Sequence, residues 1–147
     1  MAVQDIDITQ TTTAAPAAVW ALLGDSATWP QWTTIGSHAE ERAPGPDGLG
    51  EIRVFTTGRI KVREEIVERV PERRLTYALL SGLPVRDYRA VIDLTPTPDG
   101  GTTIRWHTTF RGKVPGTAWF YRLVLNTATK RFVAGLVEAT AATSDPG

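Results

Sequence analysis

The strongest constraint on this fold is a change of period. From Ser37 to Arg111 the apolar residues recur at every second position, in runs cut by glycine, proline and aspartate; after Gly116 they recur at every third or fourth. Period two belongs to strands with one buried face, and the longer period to a helix. The strands predicted are Ile52 to Thr57, Ile60 to Val70, Leu75 to Ser81, Val85 to Leu94 and Thr102 to Phe110, with another beginning at Ser37 beyond the loop Ala43 to Gly50. Thr57-Gly58, Pro71-Glu72, Gly82-Leu83-Pro84 and the stretch Pro96 to Gly101 supply the turns, so the pattern is an antiparallel meander. Tyr121, Leu125, Ala128, Phe132, Leu136 and Ala139 then lie on one face of a helix of about 24 residues, roughly 36 Å long.

Ahead of the meander, residues 3–12 alternate as an edge strand, and three of the five tryptophans follow within a short span. Pro16 has the fixed φ of a first helical position; Val19, Trp20, Leu22 and Leu23 form the buried side, and Gly24 ends the helix. Asp25 or Ser26 can cap a second turn that carries Trp29-Pro30-Gln31-Trp32. Trp20 reads as core, and Trp29 and Trp32 as one wall of an opening at the end of the sheet.

A chain of 147 residues fits one domain, here 1–142 with a frayed tail at 143–147. Sixteen basic residues balance sixteen acidic ones, and the basic run Arg59 to Arg74 is interleaved with Glu64, Glu65, Glu68 and Glu72, so no stripe for nucleic acid stands out. Without cysteine there is no disulfide framework, thiol nucleophile or thiolate site, and no histidine or carboxylate cluster has metal-ligand spacing; no metal and no cofactor are expected. His38 and His107 read as surface residues. The acidic start Met1 to Asp7 lacks the pattern of a signal peptide, and no window approaches the roughly 18 apolar residues of a membrane span. The expected location is cytoplasmic, as a monomer or homodimer.

Trp20 with Asp25-x-x-x-Trp29-Pro30-x-Trp32, Gly48-x-Gly50, Val70-Pro71-x-Arg73-Arg74-Leu75-Thr76-Tyr77 and Gly101-Thr102-Thr103-Ile104-x-Trp106 occur in this order over nearly the whole chain. Together they resemble the polyketide cyclase/dehydrase and lipid transport branch of the START-like, or SRPBCC, superfamily. The resemblance implies an α+β helix-grip fold: a curved antiparallel sheet of about seven strands, wrapped around a long C-terminal helix, with two short helices after the first strand. It also implies an internal hydrophobic cavity.

Period two assigns the lining. Ile60, Val62, Glu64 and Ile66 share the inner face of one strand, Leu75, Tyr77 and Leu79 that of the next, then Tyr88, Ala90, Ile92 and Leu94, and finally Ile104, Trp106, Thr108 and Phe110. A carboxylate on an apolar face is costly unless paired or protonated, so Glu64 is either near the rim, turned to solvent, or matched to a neighbouring arginine. No arginine falls on these inner faces. The ligand-binding candidates are Trp32, Val62, Glu64, Ile66, Tyr77, Leu79, Tyr88, Ile92, Trp106, Thr108 and Phe110, with Leu125 and Phe132 from the helix.

Two functions are open at this point. The first is binding of a hydrophobic or aromatic small molecule such as a lipid, a polyketide or a related metabolite; this reading and the next both require a cavity of at least about 300 Å³. The second is a polyketide cyclase or dehydratase, which the resemblance implies, with Glu64 as base and Tyr77 and Tyr88 as donors to a developing enolate. An interaction module would need a surface patch that the sequence does not reveal.

Overall fold

Tight turns lay out most of the sheet. In the computed structural model, which describes residues 2–144, β3 (Ile52–Thr57) turns at Gly58-Arg59 into β4 (Ile60–Val70). Gly58 takes the left-handed φ of 58° that a two-residue hairpin turn requires. β5 (Arg74–Ser81), β6 (Val85–Pro96) and β7 (Thr102–Gly112) follow, each antiparallel to its predecessor. β1 (Gln4–Thr12) pairs with β7, and β2 (Ser37–Arg42) pairs with β3 at the opposite edge. The single seven-stranded sheet has the order β1-β7-β6-β5-β4-β3-β2, the curved sheet of a helix-grip fold.

The link between β1 and β2 holds α1 (Pro16–Leu23), a 3₁₀ turn (Ser26–Thr28) and α2 (Trp29–Trp32). Asp25 caps the turn, accepting from the Ala27 N–H at 3.1 Å, whereas Ala15 gives α1 no side-chain cap. Ser26 is drawn inward instead, and its role emerges at the site. α3 (Ala118–Ser144) ends the fold. The helix runs into the expected tail, of which Asp145, Pro146 and Gly147 lie outside the described residues.

α3 packs across β1 and β7 and receives α1 and α2 on its flank. A glycine in mid-helix normally costs about 1 kcal/mol relative to alanine. At Gly135 the reason is spatial: a Cβ there would run into the Trp32 carbonyl, so its absence lets α2 lie directly on α3. The core under this side is dense, with Ile6, Leu23, Ile104, Trp106, Val133 and Leu136 all essentially inaccessible. Each such side chain contributes about 1.5–3 kcal/mol through its burial. α3 therefore fills the β1–β7 side, and the space beneath β3, β4 and β5 is bordered by its residues Val124 to Phe132 together with Trp29 and Ile35.

The tryptophans are distributed otherwise than the sequence suggests. Trp20 is half-buried, while Trp29 and Trp32 are 1% and 5% exposed. The compact 3₁₀ turn tips Trp29 into the centre, where its Nε1 donates to the Leu23 carbonyl at 3.0 Å. His107 faces outward as expected and meets Asp5 at 2.8 Å. His38 departs from the surface expectation: it is half-buried, with its ring 5.8 Å from that of Phe55.

Candidate functional site

The hairpin register builds the site. With Gly58 and Arg59 in the turn, Thr57 lies opposite Ile60, Phe55 opposite Val62, and Arg53 opposite Glu64. All four residues of the last two pairs point to the inner face, and Arg53 is fully buried. The expectation of an inner face free of arginine is thereby corrected. Its cause is that Arg53 sits in a short strand whose alternation, Ile52-Arg53-Val54-Phe55, gives no apolar preference for either face, whereas the turn alone decides the pairing.

Arg53 is held on every side. Its Nε donates to Glu64 Oε1 at 3.0 Å and its Nη1 to Ser26 Oγ at 3.1 Å. Ser26 Oγ in turn donates to Glu51 Oε2 at 2.6 Å, and Arg69 Nη2 donates to Glu51 Oε1 at 2.9 Å. The guanidinium carbon lies 3.9 Å from the Trp29 ring centroid and 4.7 Å from those of Phe55 and Tyr77, an aromatic cage around a desolvated cation. Arg53 Nη2 is buried without a hydrogen-bond partner among the described residues.

Glu64 and the cage rings Trp29, Phe55 and Tyr77 line a cavity of about 230 Å³ between the β3–β6 side of the sheet and α3, with Arg53 behind that lining. Val62, Glu64, Tyr77, Tyr88, Leu125 and Phe132, all candidates from the sequence, line it together. Trp32, Ile66, Ile92, Trp106, Thr108 and Phe110 do not line it and are buried in the core, and Leu79 also stands outside the lining, partly buried against that core. Period two correctly turned these residues inward, but α3, α1 and α2 fill the space in front of most of them. Trp29, read from the sequence as a wall of the opening, is a lining residue, and so is Phe55, which the sequence reading missed. The signal for Phe55 was available in its pairing with Val62 across the turn.

The electrostatics follow from burial. Desolvation pushes the Glu64 carboxyl above its usual range, partly offset by the charge and hydrogen bond of Arg53. Burial also raises Tyr77 well above its ordinary value and pushes Tyr88 up to about 12, the negative charge of Glu64 adding to both. Both phenols are therefore neutral hydroxyls at physiological pH. Glu51 goes the other way: burial raises it, but hydrogen bonds from Ser26 and Arg69 and the charges of Arg69 and Arg53 bring it below its usual range. The tyrosine rings lie 6.3 Å apart, with Tyr77 also 5.9 Å from Trp29. Chemically, the cavity offers one carboxylate, two phenols and the threonines Thr34, Thr57 and Thr129 on an otherwise largely apolar wall. Among the described residues no group of histidines and carboxylates could hold a metal ion.

The family model described as polyketide cyclase/dehydrase and lipid transport matches residues 4–144. The chain belongs to this family. Among solved structures, this family member resembles a Thermobifida fusca protein determined by solution NMR, at 26% identity and a TM-score of 0.80, over 95% of each chain. A protein from Nitrosospira multiformis, at 15% identity and a TM-score of 0.78 over 96% of this chain and 99% of its own, shares the fold. In sequence, it is 28% identical over 132 residues to an uncharacterized protein of Mycobacterium tuberculosis, covering 82% of this chain and 75% of the relative. No described helix is long and apolar enough to cross a membrane.

Proposed function

We propose that this member of the polyketide cyclase/dehydrase and lipid transport family binds a neutral aromatic metabolite of one or two rings that carries a hydroxyl or enol group. The observation behind this reading is the convergence of Glu64, Tyr77 and Tyr88 on one cavity of about 230 Å³. Size narrows the class expected from the sequence. A cavity near 150 Å³ accepts benzene, and pockets for drug-sized molecules begin at about 300 Å³. The volume here falls between these marks, below the threshold expected for either reading from the sequence, and is too small to enclose a diacyl lipid or a long folded polyketide chain.

Charge narrows it again. Glu64 Oε1 is taken by Arg53, so a ligand hydroxyl finds its acceptor in the remaining carboxylate oxygen, while the phenols of Tyr77 and Tyr88 can donate to a ligand carbonyl. A ligand carboxylate would meet Glu64 at close range in a desolvated site and is disfavoured. Thermal-shift titration with phenol and 2-naphthol against benzoate and 2-naphthoate tests this. A ligand at 100 times its Kd stabilises by about 2.7 kcal/mol, a shift of several degrees. The hydroxyl compounds should give it and the carboxylates should not; no shift from any compound, or equal shifts from both classes, overturns the reading.

The raised Glu64 carboxyl beside two neutral phenols favours a second reading, a cyclase or dehydratase with Glu64 as base. Arg53, behind the lining and hydrogen-bonded to Glu64, supplies the inner-face cation that the assignment from the sequence lacked. Incubation of wild type and Glu64→Gln with a short poly-β-ketone decides it: product from wild type alone supports catalysis, and equal product from both removes Glu64 from the mechanism.

A further inference from the structure

The mouth of the cavity is apolar, and its surroundings are basic. Ile60 and Val124 line the cavity, yet they are 55% and 48% exposed, so they form its rim. From Val124 the exposed apolar surface continues along the first turns of α3 through Leu123 and Phe120 to Trp119, at 58%, 49% and 64% exposure. Trp119 and Phe120 stand edge to face with centroids 6.1 Å apart. A chain that buries Trp29, Trp32 and Trp106 almost completely leaves its fifth tryptophan in solvent, on the element that closes the cavity.

Charge says what covers this face. Between Arg111 and Arg131 the chain carries Lys113, Arg122 and Lys130 and no acidic residue. The hairpin tip on the other side of the mouth repeats the pattern, with Arg59 and Lys61 flanking Ile60. Asp5 and Asp7 on β1, the strand against which α3 packs, are engaged with His107 and Arg105 on the outer face of the sheet, and Asp87 on β6 with Arg111. Two separate elements thus place large apolar side chains between cations around one opening. An aromatic and aliphatic helix face set among lysine and arginine is the chemistry of a helix lying in the interface of an anionic bilayer.

We propose that the N-terminal half of α3 and the β3–β4 hairpin dock on the surface of an anionic lipid bilayer, Trp119 and Phe120 entering the headgroup region, so that the cavity mouth opens toward the membrane. The inference rests on the cavity reading only for its purpose, to let an apolar ligand enter without crossing water. Docking itself needs no ligand, and the vesicle measurement uses none.

The test is co-sedimentation of the full chain with vesicles of phosphatidylcholine alone and with 30% phosphatidylglycerol, about one charged lipid in three. Wild type should bind the anionic vesicles, bind the neutral ones weakly, and be released by salt, with a blue shift in tryptophan emission. Trp119→Ser/Phe120→Ser should abolish the blue shift and weaken binding by roughly an order of magnitude; Arg59→Gln/Lys61→Gln should weaken it comparably and leave the neutral vesicles unaffected. These positions are exposed, and unchanged melting curves establish that the variants fold. Unaltered 2-naphthol binding by the serine variant would separate a failure of docking from a failure of the cavity. Absence of binding to anionic vesicles, or binding that both variants retain, overturns the proposal. So does a stable dimer that the serine variant dissociates, which would assign the face to a second copy of this chain.

Discussion

Glu64 and Glu65 are neighbours on β4 and each accepts a hydrogen bond from an arginine, but they live on opposite faces of the sheet. Arg53 Nε meets Glu64 at 3.0 Å with side chains 0% and 10% exposed, and Arg42 Nη2 meets Glu65 at 3.3 Å with side chains 55% and 32% exposed. The distances differ little, whereas the environments differ completely. In water each charge of the outer pair keeps a good alternative partner, so the pair contributes about 0–1 kcal/mol. On the inner face neither charge has one. Desolvation and attraction nearly cancel while both are present, and the loss of either leaves the other stranded. The same chemical pair is a minor ornament outside and a mutual dependence inside.

The largest effect expected from this difference is at Arg53. Arg53→Met should lower stability by about 3–5 kcal/mol in urea unfolding, because Glu64 loses its partner in a dry site and Ser26, still donating to Glu51, loses the donor to its oxygen. The double variant Arg53→Met/Glu64→Leu should recover most of that loss, since a buried pair replaced by apolar groups of similar volume is often neutral. A single variant as mild as Arg42→Met would break the comparison.

Next in size is the dependence on pH, where the two buried carboxylates oppose each other. The Glu64 carboxyl is raised from its ordinary value of 4.5 by desolvation, so as pH climbs past 4.5 the unfolded chain releases its proton before the native one. Stability linked to Glu64 is complete below that value and drains away as pH rises toward the native pKa. Glu51 is lowered from 4.5, so its contribution is present above that value and is lost as pH falls through the native pKa. Thermal unfolding of wild type relative to Glu64→Gln should therefore show a difference that shifts against wild type as pH rises above about 4.5. Relative to Glu51→Gln, wild type should lose its advantage only on the acid side. A Glu64 difference that does not change with pH would mean that the carboxyl is solvated.

The comparison also marks what could be read from residues alone. The faces of β4, β6 and β7 were legible because each alternates aliphatic or aromatic with charged residues over several positions, and burial in the structure follows that alternation from Glu64 to Phe110. Glu64 itself was legible as a carboxylate that needed a partner. Its partner was recoverable in principle, since a two-residue turn at Gly58-Arg59 puts Arg53 opposite it. The tryptophans were not recoverable in this way. Whether Trp20 or Trp29 enters the core depends on how a three-residue 3₁₀ turn directs the chain, and no periodicity exists over so short a span. The cavity boundary was equally beyond the pattern: Trp106 and Ile92 face inward as surely as Tyr77, and only the packing of α1, α2 and α3 decides which of them a ligand could touch.

The smallest effect separates the two faces by salt. Glu65→Gln removes an exposed acceptor from Arg42, whose Nε still donates to the Gly50 carbonyl at 2.6 Å, so the guanidinium stays placed and solvated. The loss should be at most about 1 kcal/mol at low ionic strength. In 1 M salt the Debye length falls to about 3 Å, the order of the contact distance itself, and the difference between Glu65→Gln and wild type should vanish. Salt cannot reach Arg53, which is fully buried, so the deficit of Arg53→Met should persist in the same buffer. Urea unfolding of the three proteins at both salt concentrations measures this directly. A salt-resistant Glu65→Gln deficit would place the outer pair in a drier setting than its exposure indicates, and a salt-sensitive Arg53→Met deficit would mean that water and ions penetrate the cavity end of the sheet.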